Sequence, residues 1–202
     1  MENAIRNLPT LKNKKLPCIF KVAISSTEYE FLVKKFIFNK ISKRFYIYLD
    51  TNDSSKNAKF FHKNIRLRIK IKNSRYFLEF KKRGETKDEV LDEVSAEEFS
   101  KILEGVLPDG KVKLKLTELN MLLSFKPIDT VESERQKTNF HGGHLILEKT
   151  NNGKNGETSF QIEFRSEEIF SSTEINRLLT EELEVTNLLK DKTKLQKFWE
   201  NR

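Results

Sequence analysis

The feature that most restricts the fold of this chain is the alternation at residues 65–72, which read Ile-Arg-Leu-Arg-Ile-Lys-Ile-Lys. Successive side chains of a β-strand point to opposite faces, so a strand here has one apolar face and one face of four cations. A two-residue polar break separates it from a second run at 75–82, which suits a β-hairpin. The hairpin would place Glu79 and Lys81 on the cationic face.

A solvated polar face is the ordinary alternative, because antiparallel sheets commonly leave one face in water. Such a face usually mixes charges, since like charges opposite one another are destabilising. Here Glu79 is the single carboxylate among five cations: Arg66, Arg68, Lys70, Lys72 and Lys81. This imbalance favours an anionic ligand.

The composition agrees with a polyanionic partner. The 202 residues carry a formal net charge of +8, and charged residues make up 34% of the chain. A basic balance favours nucleotides, polyphosphate, nucleic acid or an acidic membrane surface without distinguishing them. One cysteine excludes an internal disulfide, and the absence of a long apolar run or signal peptide indicates a soluble, cytoplasmic protein that does not enter the membrane.

The rest of the chain predicts an α+β fold rich in antiparallel strands. Further strands are expected at 19–24, 44–50, 87–94, 131–140, 144–149 and 159–165. Three capping-box patterns, starting at Ser25, Ser95 and Ser171, each open an amphipathic helix. The region 107–126 fits either a strand or a short helix, and 186–202 is expected to be helical.

These elements suggest a closed or nearly closed barrel of about eight strands with helices packed outside. If the sheet closes with its apolar face toward the helices, its polar faces enclose a charged lumen. Residues 1–16 are expected to form a flexible lead, and 17–202 a single domain.

The order of several short motifs resembles the CYTH domain, the triphosphate tunnel metalloenzyme superfamily, over about residues 19–199. The similar stretches are Tyr46-Ile47-Tyr48-Leu49-Asp50-Thr51, Ile65-Arg66-Leu67-Arg68, Leu78-Glu79-Phe80-Lys81, Glu134-Arg135-Gln136, Gly142-Gly143-His144-Leu145-Ile146-Leu147-Glu148, Phe160-Gln161-Ile162-Glu163-Phe164 and Thr193-Lys194. The resemblance implies a tunnel in which inward cations hold a triphosphate and inward carboxylates hold Mg²⁺ or Mn²⁺. Carried over by position, the phosphate ligands are Lys21, Arg66, Arg68, Lys81, Arg135 and Lys194.

The chain departs from the family pattern at the metal-binding carboxylates. The Glu-x-Glu-x-Lys motif of the first strand is replaced by Pro17, Ile19 and Lys21, and the first position of the later Glu-x-Glu pair is Gln161. Glu163 and Glu148 remain to hold one ion weakly, with Glu79 as a further candidate ligand. Without a metal, Glu79 or Glu163 would act as general base.

These residues predict that the protein binds a nucleotide or an inorganic triphosphate and hydrolyses it weakly or not at all. The alternative is a metal-dependent triphosphatase with a reduced site, acting on tripolyphosphate, thiamine triphosphate or a nucleoside triphosphate. A third class is a nucleic-acid binder, for which an RNA 5′-triphosphate end is the most specific ligand. The sequence leaves open which group is attached to the triphosphate and which oligomeric state the protein adopts.

Overall fold

The structure is a computed structural model that describes residues 17–51, 60, 64–82, 88–121 and 124–186. The described strands are β1 (Cys18–Ile24), β2 (Lys40–Thr51), β3 (Ile65–Lys72), β4 (Arg75–Lys82), β5 (Asp88–Val94), β6 (Phe125–Phe140), β7 (Gly143–Asn152) and β8 (Thr158–Arg165). The described helices are α1 (Ser26–Lys35), α2 (Ala96–Leu103), α3 (Lys111–Glu118) and α4 (Ser172–Arg177), which continues into a π-helical turn, Leu178–Glu182. The predicted lead at 1–16 and all but the first residue of the helix predicted at 186–202 lie outside the described residues.

The eight strands form one antiparallel sheet in the order β1-β8-β7-β6-β2-β3-β4-β5. Strands β1 and β5 are its two edges, and within the described residues no backbone hydrogen bonds join them. The predicted α+β architecture with an antiparallel sheet of eight strands is therefore confirmed. Hydrogen bonds do not close the described sheet into a barrel.

The β3–β4 hairpin forms with the predicted register. Asn73 and Ser74, its two turn residues, have φ of 50° and 58°, and two positive φ values are typical of the hairpin turn whose twist matches that of the strands. Arg68 lies opposite Glu79, and the apolar residues of both strands share the other face. The two-residue turn thus fixes which side chains meet the cations.

The ambiguous region 107–126 contains a helix followed by the start of a strand. Val112 and Leu116 are buried in α3, whereas Leu114 is 65% exposed, as expected when residues four apart share one helix face. Strand β6 begins at Phe125, six residues before the predicted start. Pro127 and a register shift opposite Leu49 interrupt the alternation there, which explains why the pattern hides this part of the strand.

All three predicted capping boxes are present. The serine hydroxyl accepts the backbone N–H of a glutamate three residues later, and that carboxylate accepts the serine N–H; the pairs are Ser25–Glu28, Ser95–Glu98 and Ser171–Glu174. Each box satisfies amides that the first helical turn leaves free, so these helices begin where the sequence predicts.

The helices cover the apolar face of the sheet in two separate hydrophobic clusters. In the first core, α2 and α3 pack on β2 to β5, with Phe80 and Ile102 fully buried. In the second core, α1 and the segment after α4 pack on β1, β7 and β8, with Leu32 and Phe164 fully buried. This arrangement leaves the polar face of the sheet on the side away from the helices.

Candidate functional site

The strand register places the predicted site residues on the polar face of the sheet. Those that the structure describes are Lys21, Arg66, Arg68, Glu79, Lys81, Arg135, Glu148 and Glu163. Lys194, the remaining predicted phosphate ligand, lies outside the described residues. The carboxyl-bearing members Glu79, Glu148 and Glu163 are only 5%, 7% and 5% exposed, so these carboxylates are buried, whereas Lys21 on the same face is exposed.

Arg68 is the centre of a buried group on β2, β3 and β4, which we call the Arg68 cluster: Arg68, Glu79, Tyr46 and Tyr48. The Arg68 Nε donates to Glu79 Oε2, and Nη1 lies 3.5 Å from the Tyr48 hydroxyl. The guanidinium carbon is 4.1 Å from the centroid of the Tyr46 ring, a cation–π distance. These contacts hold the guanidinium in one orientation.

Glu79 stays ionised in this cluster. Burial alone raises the pKa of its carboxyl, but the adjacent Arg68 guanidinium outweighs burial and lowers the pKa to about 2. A carboxylate with so low a pKa is a weak proton acceptor, because a general base works best with a pKa near the operating pH. The catalytic role of Glu79 therefore stays a prediction that its environment does not favour.

A second group of opposite charges lies on β6, β7 and β8, which we call the Arg135 cluster: Ser133, Arg135, Glu148, Glu163 and Arg165. Arg135 Nη2 lies 2.8 Å from Glu163 Oε2, and its Nε lies 3.8 Å from Glu148 Oε2. Arg165 Nε donates to Glu163 Oε1, and the Ser133 hydroxyl donates to Glu148 Oε1. Hydrogen bonds therefore reach both oxygens of Glu163 and Oε1 of Glu148, whereas the contact of Arg135 Nε with Glu148 Oε2 is an ion pair too long to be a hydrogen bond.

Between the two clusters lies a third group made of cations alone, which we call the basic rim: Lys40, Arg44, Lys72 and Lys137. Burial, reinforced by Arg44 and Lys40, lowers the pKa of Lys72, and burial together with Lys40 and Arg135 lowers the pKa of Lys137. Cations close enough to lower the pKa of a neighbouring lysine produce a strongly positive potential. An anion is the natural complement of this surface.

Several of these residues were missed as site candidates. Lys137 and Arg165 each lie two residues from a predicted site residue, Arg135 and Glu163, and therefore on the same strand face. That spacing is the signal that could have identified them. Arg44 lies two residues from Tyr46 on the polar face, but no predicted site residue lies on its strand to indicate this.

The remaining predicted cations occupy less enclosed positions. Lys81 Nζ lies 3.0 Å from Glu89 Oε2 on the edge strand β5. Lys21 is exposed on the other edge strand, opposite Glu163. Arg66 lies directly opposite Lys81 on the hairpin. The structure thus gathers the described candidates on one face but distributes them from edge to edge.

Some buried polar atoms on this face have no hydrogen-bond partner among the described residues. They include Gln161 Oε1, Thr150 Oγ1 and Arg44 Nε. Buried polar groups normally find a partner in protein, water or ligand, so these atoms mark places where a polar molecule would be stabilised.

The carboxylates of the Arg135 cluster do not fit a resident Mg²⁺ or Mn²⁺ ion. Mg²⁺ prefers near-octahedral oxygen ligands, and Glu148 and Glu163 already contact guanidinium groups. Gln161, opposite Glu148, is neutral. In the part of the chain that the structure describes, no three His, Cys, Asp or Glu side chains are grouped to hold a metal. A divalent ion would have to displace Arg135.

A cavity of about 360 Å³ borders the basic rim, because Arg44 and Lys72 are among the residues that line it. Its lining also includes Ser133 of the Arg135 cluster and, from the other face of the sheet, Phe45 and Ile71. None of the site residues predicted from the sequence lines it.

Two solved structures share this fold over most of their length. A proposed adenylate cyclase from Bacillus halodurans is 20% identical, with a TM-score of 0.72 over 89% of this chain and 95% of that chain. A proposed adenylyl cyclase from Hippeastrum, reported to have a dominant triphosphatase activity, is 15% identical, with a TM-score of 0.71 over 90% of this chain and 94% of that chain. At these identities the likeness shows the fold, which is consistent with the CYTH-type architecture expected from the motifs.

No protein-family model and no curated protein matches the chain. Among the helices of the described residues, none has the length and apolar character needed to cross a membrane.

Proposed function

We propose that this protein binds a compound carrying a triphosphate chain on the polar face of its sheet. The observation that carries the proposal is the basic rim, where Lys40 lies directly opposite Lys137 in the β2–β6 ladder, and where burial and neighbouring cations lower the pKa of Lys72 and Lys137. A polyanion would relieve that repulsion. Its negative charges would then contribute binding energy at a site already ordered by the sheet.

The proposed phosphate ligands combine the predicted cations with the rim. They are Lys21, Arg66, Arg68, Lys81, Arg135 and Lys194, joined by Arg44 and Lys72. Arginine presents a planar fork to phosphate oxygens, while lysine acts as a compact charge. Closure of the sheet into a tunnel is part of the proposal, because it would bring Lys21 on β1 toward Lys81 near the other edge.

The bound molecule is a nucleotide or an inorganic triphosphate, and RNA with a 5′-triphosphate end is a further ligand of the same chemistry. A gel shift that compares RNA with and without its 5′-triphosphate separates recognition of the end from binding along the backbone. Backbone binding would weaken steeply with salt for both RNAs.

The environment of the carboxylates favours binding over turnover. Glu79 has a pKa of about 2 and pairs with Arg68. Glu163 contacts both Arg135 and Arg165. Neither carboxylate is poised to accept a proton from water, so we expect weak or no hydrolysis.

Hydrolysis is the second candidate function, and the reported triphosphatase activity of the Hippeastrum protein favours it. It is tested by phosphate release from tripolyphosphate, thiamine triphosphate and nucleoside triphosphates with Mg²⁺ or Mn²⁺ present. Release that is abolished by Glu163→Ala supports this candidate, and no release with any substrate and metal removes it.

The binding proposal is tested by isothermal titration with tripolyphosphate, ATP, GTP and thiamine triphosphate at low salt. Arg44→Ala should weaken binding about tenfold or more, because a charge-assisted hydrogen bond contributes about 1.5–3 kcal/mol. Lys34→Ala is the control. Lys34 is exposed on helix α1, which packs on the apolar face of the sheet, so its loss should leave the affinity unchanged.

Binding of none of the four compounds would contradict the proposal. Equal losses of affinity in Arg44→Ala and Lys34→Ala would show that the net charge of the protein, rather than the polar face, attracts the ligand.

A further inference from the structure

Arg135 lies where it contacts both carboxylates that could otherwise hold a cation. It is directly opposite Glu148 in the β6–β7 ladder, and Glu163 lies on the next strand, β8. The distances are 2.8 Å from Nη2 to Glu163 Oε2 and 3.8 Å from Nε to Glu148 Oε2. One guanidinium thus bridges carboxylates on two strands.

The other groups of the cluster complete this arrangement. The second oxygen of Glu163 accepts a hydrogen bond from Arg165, and the second oxygen of Glu148 accepts one from Ser133. Two carboxylates therefore face two guanidinium groups, and the cluster is neutral without any added ion. Glu148 and Glu163 are nearly fully buried, so removal of their cationic partners would leave uncompensated buried charges.

A guanidinium can perform the binding task of a divalent cation at this point. Its five N–H donors lie in one plane, so it can bond to Glu163, approach Glu148 and still offer donors to a phosphate oxygen. A Mg²⁺ ion in the same place would need about six oxygen ligands. It would also leave Arg135 without its carboxylates.

We propose that Arg135 is the permanent cation of this site, and that a triphosphate binds to the protein without a resident divalent metal. The bridging of Glu148 and Glu163 by Arg135 rests on the structure of the cluster. Its contact with phosphate rests on the proposed function. The two parts are tested separately below.

The first test measures Mn²⁺ binding to the protein alone by electron paramagnetic resonance. Wild-type protein should bind Mn²⁺ no more tightly than Glu163→Gln, because Arg135 occupies both carboxylates. Arg135→Ala exposes Glu163 Oε2 and Glu148 Oε2, while Arg165 still pairs with Glu163 Oε1, and should bind Mn²⁺ at least about tenfold more tightly than wild type, a gain that Arg135→Ala combined with Glu148→Gln should lose. Glu132→Gln, on the opposite face of β6, is the control that should change nothing.

Wild-type binding of Mn²⁺ that is lost in Glu163→Gln would overturn the assignment of Arg135. Circular dichroism establishes whether Arg135→Ala folds. If Arg135→Ala does not fold, the comparison of Mn²⁺ binding by wild type and Glu163→Gln is the deciding test. Arg135→Lys, which keeps the charge in a smaller head group, should also not bind Mn²⁺.

The second test titrates tripolyphosphate into wild-type protein in EDTA and again in Mg²⁺. We expect the dissociation constant in Mg²⁺ to be equal to or weaker than that in EDTA, because the metal masks charge on the ligand and adds no contact to the protein. Tightening by Mg²⁺ of about tenfold or more would overturn the metal-free binding mode. Absence of binding in both buffers would instead remove the proposed function, while the Mn²⁺ measurement would still decide the role of Arg135.

Discussion

At the residue scale, the buried pairs show how cations and carboxylates can be enclosed on one sheet face. Arg68 and Glu79 are both nearly inaccessible to water, and each is stabilised by the charge of the other. Removing one member of such a pair costs more than the pair contributes, because an uncompensated charge stays buried. The polar face is therefore constrained by its own ion pairs before any ligand binds.

Glu79→Gln should destabilise the protein by about 3–5 kcal/mol at neutral pH, because it leaves Arg68 buried without its carboxylate. The pKa of Glu79 is lowered from its ordinary 4.5 to about 2 in the folded protein. Its contribution is thus fully present above about pH 4.5 and is lost as the pH falls toward 2. Urea denaturation of both proteins at neutral and acidic pH should show their difference shrinking over that interval.

Glu93→Gln is the control for this measurement. Glu93 pairs with Arg75 on the surface, where water and salt screen an ion pair so that it contributes little to stability. If Glu79→Gln is no more destabilising than Glu93→Gln at neutral pH, then the buried Arg68 guanidinium does not depend on Glu79 for its stabilisation.

At the element scale, short local sequence patterns predict where some helices and turns begin but miss others. The capping box at Ser95 and the turn at Asn73 and Ser74 are encoded within four residues, and both form as predicted. Helix α3 is different. Its N-cap, Gly110, has no side chain, and the acceptor for the Val112 N–H is Asp92 Oδ2, 2.7 Å away on strand β5. A cap supplied by a distant strand leaves no local signature.

Asp92→Ala should destabilise the protein by about 1 kcal/mol, the usual effect of losing a helix cap, whereas Asp92→Asn keeps an acceptor oxygen and should cost less. Urea denaturation measures both. Asp109→Ala is the control, because Asp109 forms only an exposed pair with Lys113 and its loss should change the stability less than Asp92→Ala does. Equal stability of Asp92→Ala and wild type would show that the strand does not cap α3.

At the scale of the whole molecule, the face of each strand could be predicted but the partners across the sheet could not. Period-two alternation assigns Arg135 and Glu163 to strand faces, yet they are 28 positions apart, and the contact between them depends on strand order. No spacing in the sequence encodes that order. The predicted cations were therefore identified as a set, while their pairing with Glu79, Glu148 and Glu163 required the fold.

The two hydrophobic cores differ in how far apart their residues lie in the sequence. The first core draws on residues between Ile47 and Phe125, whereas the second joins Phe20 on β1 to Phe164 on β8, with ring centroids 5.6 Å apart. Closing a long loop costs conformational entropy before its contacts form. In refolding followed by pulsed hydrogen exchange, amides of the β3–β4 hairpin should become protected before those that pair β1 with β8. Simultaneous protection would contradict this order.

The different sequence positions of the two cores also affect the order in which they can fold during synthesis at the ribosome. Because domains begin to fold as the chain emerges, we expect the part that contains Arg68 to become ordered while β8 is still untranslated. The Arg135 cluster cannot be complete until Glu163 has been made. A nascent chain would thus expose Arg135 and Glu148 without their later partner for the time needed to translate the intervening residues.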